Sequence, residues 1–88
     1  MQYFVYIIAT KVKNKTISYV GYTSNLSNRL NDHNSGKGAK FTRGRKWALI
    51  YKEKFKSKKE AISREYYIKN NRSVRQKIKN ENINIITL

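Results

Sequence analysis

The stretch from Tyr3 to Ala9 constrains the fold most, because every residue in it is apolar or aromatic. A half-buried strand alternates apolar and polar residues, whereas this one has two apolar faces, so its sheet must be covered on both sides. We predict a central strand here, followed by a polar turn around Asn14. A second strand is predicted from Ile17 to Tyr22, and so short a link favours an antiparallel hairpin.

A third strand and a first helix follow in the middle of the chain. Alternation over residues 47–55 predicts a strand with one face toward the core, formed by Trp47, Leu49, Tyr51 and Phe55. The helix is expected from about Asn25 to Asn34, and Gly36 follows its end. Ser24 or Asn25 is the expected N-cap.

Two capping boxes predict the remaining helices: Ser57 with Glu60, and Ser73 with Gln76. The second helix is expected to direct four side chains inward: Ala61, Ile62, Tyr66 and Ile68. In the third helix, the apolar pair is Val74 and Ile78. Residues 80–88 are expected to form an edge strand or a loosely docked tail. With no internal repeat or linker, a single small domain over residues 1–88 is predicted.

The charge balance is strongly basic, with 20 Lys and Arg against 5 Asp and Glu and a net charge of +15. We expect such a chain to bind nucleic acid, because cations that neutralise a phosphate backbone release its counterions. The alternative is a drift in composition toward Lys, Asn and Ile. An exposed loop is predicted over residues 37–46. Its proposed nucleic-acid-binding residues are Lys37, Lys40, Phe41, Arg43, Arg45 and Lys46; the alternative is a merely solvated loop.

Several classes of site and location are excluded by composition. The chain has no cysteine, so it has no disulfide and no thiol nucleophile. His33 is the only histidine, which leaves too few ligands for zinc. A metal here would bind oxygen ligands, with magnesium the first candidate. No apolar run approaches the ~18 residues of a membrane span, and no targeting segment is evident, so we expect a soluble cytoplasmic protein without a membrane partner.

Glu65 is the most informative carboxylate, because its spacing from Ala61 and Ile68 places it in the stripe that faces the core. A buried carboxylate is costly unless it is paired or binds a metal. The pattern leaves open whether Glu65 pairs with a cation or holds one metal ion. A single inward carboxylate does not support a two-metal cluster.

Tyr6 and Tyr19 lie in neighbouring strands and can share one face of the sheet. A tyrosine acts as a general base only where nearby cations depress its pKa, and Arg29 is placed to do so and to hold a phosphate oxygen. His33 follows Arg29 by one helical turn, which suits a proton relay. The alternative is that both tyrosines are ordinary core residues.

These residues together resemble the GIY-YIG nuclease superfamily, in particular its small single-domain bacterial members. Two stretches stand where the family has its name-giving motifs: Phe4-Val5-Tyr6 and Tyr19-Val20-Gly21. Arg29 follows Tyr19 by ten residues, as the family's helix arginine does, and Glu65 matches the position of its metal-binding glutamate. Some members also use an asparagine beyond the glutamate, for which Asn70 and Asn71 are candidates.

The resemblance implies an α/β (α+β) fold, a three-stranded antiparallel sheet flanked by about three helices. It implies hydrolysis of DNA phosphodiesters with one Mg²⁺ (or Mn²⁺) held by Glu65. Tyr6 or Tyr19 would help deprotonate water, Arg29 would stabilise the transferring phosphate, and His33 would assist proton transfer. We expect a structure-selective or weakly specific endonuclease of DNA repair or recombination, with a protein partner or a homodimer supplying site selection. The alternative is a non-catalytic, basic nucleic-acid-binding module that keeps the fold.

Overall fold

The fold is organised around its first strand. The structure is a computed structural model and describes residues 1–82. Strand β1 (Tyr3–Val12) lies between β2 (Lys15–Thr23) and β3 (Ala48–Phe55), and both pairings are antiparallel. Helices α1 (Leu26–Ser35), α2 (Lys58–Lys69) and α3 (Arg72–Glu81) and a 3₁₀ turn (Lys40–Thr42) complete the described part. The predicted fold class is confirmed. Of the predicted tail, residues 80–82 form the end of α3 and its C-cap, and residues 83–88 lie outside the described residues.

Both faces of β1 are covered, as its composition predicts. On one side, Val5, Ile7 and Ala9 pack with residues of α2 and α3; we call this the α2/α3 face. On the other side, Tyr6 and Ile8 pack with Trp47 and with α1 through Leu26 and Leu30; we call this the α1 face. The side chains of β1 therefore alternate between two separate apolar clusters.

The hairpin and the end of α1 show how local sequence places these elements. The two-residue turn between β1 and β2 is Lys13 and Asn14, and Lys13, not Asn14, adopts the positive φ of 58°. The Asn25 side chain caps α1 by accepting a hydrogen bond from the Asn28 N–H (3.1 Å). Gly36 ends the helix with a φ of 84°, a conformation that glycine adopts without steric cost.

The cap of α2 is as predicted and the cap of α3 is not. Ser57 accepts a hydrogen bond from the Glu60 N–H at 3.1 Å. At α3, the capping side chain is Asn71, which accepts from the Val74 N–H at 3.3 Å. The predicted box at Ser73 is wrong because an asparagine two residues earlier offers the same acceptor and starts the helix sooner.

The predicted single apolar face of β3 is also wrong. Tyr51 pairs with Ile7 and Leu49 pairs with Ile8, so one extra residue, Ile50, lies in β3 at this point. Such a bulge shifts the alternation by one residue. Tyr51 and Phe55 consequently pack on the α2/α3 face, whereas Trp47 and Leu49 pack on the α1 face.

Helix α2 buries a narrower stripe than predicted. Ala61 and Ile68 are fully buried, but Ile62 remains 43% exposed and Tyr66 69% exposed. Both lie about 100–140° around the helix from Ala61, beyond the stripe that touches the sheet. Among residues 1–82, no helix is long and apolar enough to cross a membrane.

Candidate functional site

The Tyr6 hydroxyl lies at the centre of the candidate site. Tyr6 points to the α1 face, is 1% exposed, and pairs across the sheet with Gly21 of β2. A Cβ at Gly21 would overlap the Tyr6 hydroxyl, so the phenol reaches across β2 only because residue 21 is glycine. Since β2 is an edge strand, the hydroxyl lies toward the edge of the sheet.

Helix α1 directs two side chains at this hydroxyl. His33, fully buried, places Nε2 2.8 Å from Tyr6 Oη. Arg29, one turn earlier, donates from Nε to the same oxygen at 3.3 Å. The four-residue spacing of Arg29 and His33 therefore brings a cation and an imidazole to one atom.

The hydrogen bonds also determine which nitrogen of His33 carries the proton. Thr42 Oγ1 lies 2.9 Å from the Ala39 carbonyl oxygen and 2.9 Å from His33 Nδ1. Two oxygens this close need a proton between them, so the Thr42 hydroxyl donates to Ala39 and accepts from His33 Nδ1–H. The neutral ring then has Nε2 free to accept the hydrogen bond from the Tyr6 hydroxyl.

Thr42 is a residue of the candidate site that the sequence did not indicate. The predicted loop over residues 37–46 is not wholly exposed, because its 3₁₀ turn buries Thr42 completely. Trp47 Nε1–H donates to the Thr42 carbonyl at 2.9 Å. Asn34 holds the Trp47 backbone from both sides, accepting from its N–H at 2.6 Å and donating to its carbonyl at 3.2 Å. The only sequence signal that could have indicated a buried Thr42 is its β-branched side chain in a basic, glycine-containing loop. Its partner His33 lies nine residues earlier, so no local pattern predicts their contact.

The pKa shifts at the site differ from the expectation that Arg29 depresses a tyrosine. Burial raises the pKa of Tyr6 above its usual 10, and this outweighs the lowering by the hydrogen bond and charge of Arg29. The pKa of His33 is lowered below 6.5, first by burial and then by the positive charge of Arg29, against a smaller opposing effect of Asp32. Tyr6 is thus protonated and His33 neutral near pH 7.

Tyr19 joins the site through ring contacts. It pairs with Ile8, two residues along β1 from Tyr6, so both tyrosines lie on the α1 face. Its ring meets His33 edge-on, with centroids 5.1 Å apart, and stacks on Phe41 at 6.2 Å. Tyr19 therefore connects the Tyr6–His33 pair to the basic loop.

Glu65 approaches from α2, and its side chain is 17% exposed. Its carboxylate forms an i,i+4 ion pair with Lys69 at 3.7 Å and is near enough to Tyr6 to contribute to the raised pKa of that hydroxyl. Within residues 1–82, no group of three or more His, Cys, Asp or Glu side chains could hold a metal. The donor set is thus a single carboxylate, which fits Mg²⁺, an ion that keeps several waters and binds through one or two carboxylates plus phosphates.

The two asparagines beyond Glu65 act in helix capping. Asn70 Nδ2 donates to the Tyr66 carbonyl at 2.9 Å, and Asn71 caps α3. Both side chains are thus engaged in hydrogen bonds with helix backbone groups and not with the Tyr6 hydroxyl.

The predicted nucleic-acid-binding residues lie beside the site, where five of the six side chains are exposed: Lys37, Lys40, Phe41, Arg43 and Lys46. Arg45 is half-buried and places its guanidinium over the Phe41 ring, 5.5 Å from the centroid. Because Phe41 also stacks on Tyr19, this loop surface is continuous with the site.

Comparison with known families decides what kind of domain this is. A family model described as the GIY-YIG catalytic domain matches residues 2–79. The chain belongs to the GIY-YIG family. The resemblance carried by Tyr6, Tyr19, Arg29 and Glu65 is thereby confirmed at the level of the family, and the GIY-YIG domain is a nuclease-type fold.

Small bacterial GIY-YIG-type relatives cover most of this domain. The UPF0213 protein CPE1444 of Clostridium perfringens is 52% identical over 67 residues, which are 75% of this chain and 69% of the relative. The UPF0213 protein SH2523 of Staphylococcus haemolyticus is 48% identical over 77% of this chain and 80% of its own. The solution NMR structure of the UPF0213 protein BH0048 from Bacillus halodurans matches with 39% identity and a TM-score of 0.52, over 89% of this chain and 82% of that one.

Proposed function

We propose that this GIY-YIG protein is an endonuclease that hydrolyses phosphodiester bonds in DNA and depends on Mg²⁺ (or Mn²⁺). The observation that carries the proposal is the Tyr6 hydroxyl, which hydrogen-bonds at once to His33 Nε2 and to Arg29 Nε. A proton acceptor and a fixed cation on one phenolic oxygen are what a proton relay to a phosphate-attacking water requires.

In the proposed reaction, the oxygen of a water molecule attacks phosphorus while the P–O bond to the leaving oxygen breaks. The proton of the water passes to Tyr6 Oη as the Tyr6 proton passes to His33 Nε2, so the relay ends as an imidazolium. The raised pKa of Tyr6 keeps its own proton in place until His33, neutral because its pKa is lowered, accepts it. The proton on His33 Nε2 then returns to Tyr6 Oη as the Tyr6 proton passes outward to solvent or to the leaving oxygen, because Tyr6 Oη is the only hydrogen-bond partner of Nε2 among residues 1–82.

Arg29 stabilises the charge that develops in this step. Its Nε is engaged by Tyr6, which leaves the terminal amino groups of the guanidinium to donate to non-bridging phosphate oxygens. Glu65 is the residue that would hold the divalent ion, whose chemistry when bound is to neutralise charge on the phosphate and on the leaving oxygen. Tyr19 forms the wall of the site against His33.

Two observations support DNA as the partner: the GIY-YIG family and the net charge of +15. We propose a structure-selective or weakly specific enzyme of DNA repair or recombination. Selection of the cleavage position then comes from the shape of the DNA, from a protein partner or from a second copy of the chain.

A second candidate is a non-catalytic module that binds nucleic acid through the same basic surface. It is favoured by the ion pair between Glu65 and Lys69, which satisfies the carboxylate without a metal. This candidate predicts salt-sensitive binding with a slope of roughly 0.9 per phosphate neutralised, and no turnover.

The test uses purified protein with labelled duplex, single-stranded, flap and four-way-junction DNA, each with Mg²⁺ and with chelator. Glu65→Gln and Arg29→Ala are the site variants. Glu60→Gln is the matched control, because it removes an exposed carboxylate from the same helix. Metal-dependent cleavage that survives in the control and disappears in Glu65→Gln supports the nuclease. Cleavage unchanged in Glu65→Gln and Arg29→Ala refutes the site, and tight binding without any cleavage supports the module.

A further inference from the structure

A basic groove of about 380 Å³ lies beside the site, between the edge strand β2 and the junction of α2 with α3. One wall contains the rings of Tyr19 and Phe41. The opposite wall contains four cations: Lys69, Arg72, Arg75 and Lys79. None of the lining residues found in the described part of the chain is acidic, so the groove attracts anions.

Two of these cations are held in place by the fold. Arg75 Nη1 donates to the carbonyls of Ile68 and Lys69 at the end of α2. Lys79 Nζ donates to the Thr16 carbonyl of β2 at 3.2 Å, so α3 is attached to the strand that forms the other side of the groove. The cationic wall therefore has a defined position relative to the site.

The position of the arginines is unfavourable for the helix that carries them. Arg72 and Arg75 lie in the first turn of α3, which has no acidic residue. Cations near a helix N-terminus oppose the helix dipole. Arg75 offsets this effect by bonding the carbonyl groups at the end of α2, and Lys69 and Lys79 lie in the last turns of their helices, where the dipole favours a cation. Within residues 1–82, no such contact compensates Arg72, and an anionic ligand in the groove accounts for its position.

The aromatic wall connects the groove to the reacting groups. The Tyr19 ring contacts His33 and stacks on Phe41, and both rings line the groove. The groove is at the small end of the usual 300–1,000 Å³ range of ligand sites, a size that suits a single strand of nucleic acid. Rings on one side and cations on the other match the sugar–base and phosphate sides of a single strand.

We propose that this groove binds the backbone of the DNA strand on one side of the phosphate at Tyr6. The inference rests on the proposed function, because it concerns the same DNA strand. It adds a second binding surface to the loop of residues 37–46, joined to it through Phe41.

The test measures binding apart from cleavage, by fluorescence anisotropy of a labelled single-stranded oligonucleotide in chelator. Arg72→Gln is compared with Lys54→Gln, which removes one exposed positive charge from β3, the strand at the opposite edge of the sheet. We expect Arg72→Gln to weaken binding several-fold and to lower the salt slope by about 0.9 relative to this control. Its melting temperature should not fall, because it removes a cation from a helix N-terminus. Equal affinity in the two variants, or no binding by the unsubstituted protein, overturns the proposal.

A second measurement locates the strand directly. Because the chain has no cysteine, Gln76→Cys provides one attachment point for a photoreactive probe in the groove, and Lys54→Cys provides the control. Cross-links to DNA formed at position 76 and not at position 54 support the groove, and equal cross-linking overturns it. If groove variants weaken binding and no DNA is cut with Mg²⁺, the groove stands and the nuclease proposal fails. If DNA is cut equally well and bound equally well by Arg72→Gln, the groove fails and the nuclease stands.

Discussion

Replacing Thr42 by valine should disable the relay without touching a residue that meets the substrate. Valine has nearly the same shape but no oxygen, so His33 Nδ1–H loses its acceptor. The ring can recover a partner only by moving its proton to Nε2, where it donates to Tyr6 Oη. In that tautomer, Nε2 no longer accepts the Tyr6 proton, and Thr42 acts as a positioning residue whose loss is felt at the reacting atoms.

The magnitudes follow from the burial of this pair. His33 and Thr42 are both fully buried, so an unsatisfied polar group there costs about 1–3 kcal/mol. For a domain of this size, about 2 kcal/mol lowers the melting temperature by roughly 8–16 °C. Loss of general acid–base catalysis costs typically 10²–10⁴ in rate, and we expect about 10²-fold in single-turnover cleavage.

The assay combines a rate with a spectroscopic signature. His33 is the only histidine, so ¹⁵N NMR of the imidazole reports its tautomer without overlap. We expect the proton on Nδ1 in the unsubstituted protein and in Thr42→Ser, which retains the hydroxyl, and on Nε2 in Thr42→Val. An unchanged tautomer in folded Thr42→Val, or cleavage at the original rate, would refute the assigned role of Thr42.

Three further outcomes test the geometry of the site. Gly21→Ala should displace the Tyr6 hydroxyl and lower the free energy of unfolding by about 1–3 kcal/mol; denaturant titration measures it, and an unchanged value would contradict the close approach of the phenol to residue 21. Below pH 6.5, His33 binds a proton in the unfolded chain but resists it in the folded protein, where burial lowers its pKa. The free energy of unfolding should therefore decrease from pH 7.5 to pH 5.5 in the unsubstituted protein and not in His33→Gln. Denaturant titration at each pH measures this difference, and equal pH dependence in the two proteins would contradict the lowered pKa. Arg29→Lys should reduce single-turnover cleavage by about 10²–10³-fold, since an ammonium cannot bond Tyr6 and phosphate in a fixed fork, and an unaltered rate would exclude that role.

Much of the scaffold was predictable because its signals are local. The two-faced apolar run required cover on both sides of β1, and capping residues such as Asn25, Gly36 and Ser57 lie within four residues of the groups they bond. The four-residue spacing of Arg29 and His33 likewise follows from helix geometry alone. Where two nearby residues can both cap a helix, as Asn71 and Ser73 can at α3, the sequence pattern predicted the wrong one.

What only the tertiary structure decided depends on contacts between residues far apart in the chain. The bulge at Ile50 follows from pairing with β1, and it reversed the faces assigned to Tyr51. The exposure of Tyr66 depends on how little of α2 meets the sheet. Arg29, named from the sequence as the cation that lowers a tyrosine pKa, is outweighed at Tyr6 by burial, which no spacing reports.

The candidate site depends both on local sequence signals and on tertiary contacts. The sequence by itself indicated the five candidate residues of the site, through their spacing and their match to the family motifs: Tyr6, Tyr19, Arg29, His33 and Glu65. Only the folded structure decided that the Tyr6 hydroxyl lies between Arg29 and His33, and that Thr42 sets the tautomer. The physical reason is that a hydrogen bond depends on distances of a few tenths of an ångström, whereas a sequence pattern specifies only which face of an element a side chain occupies.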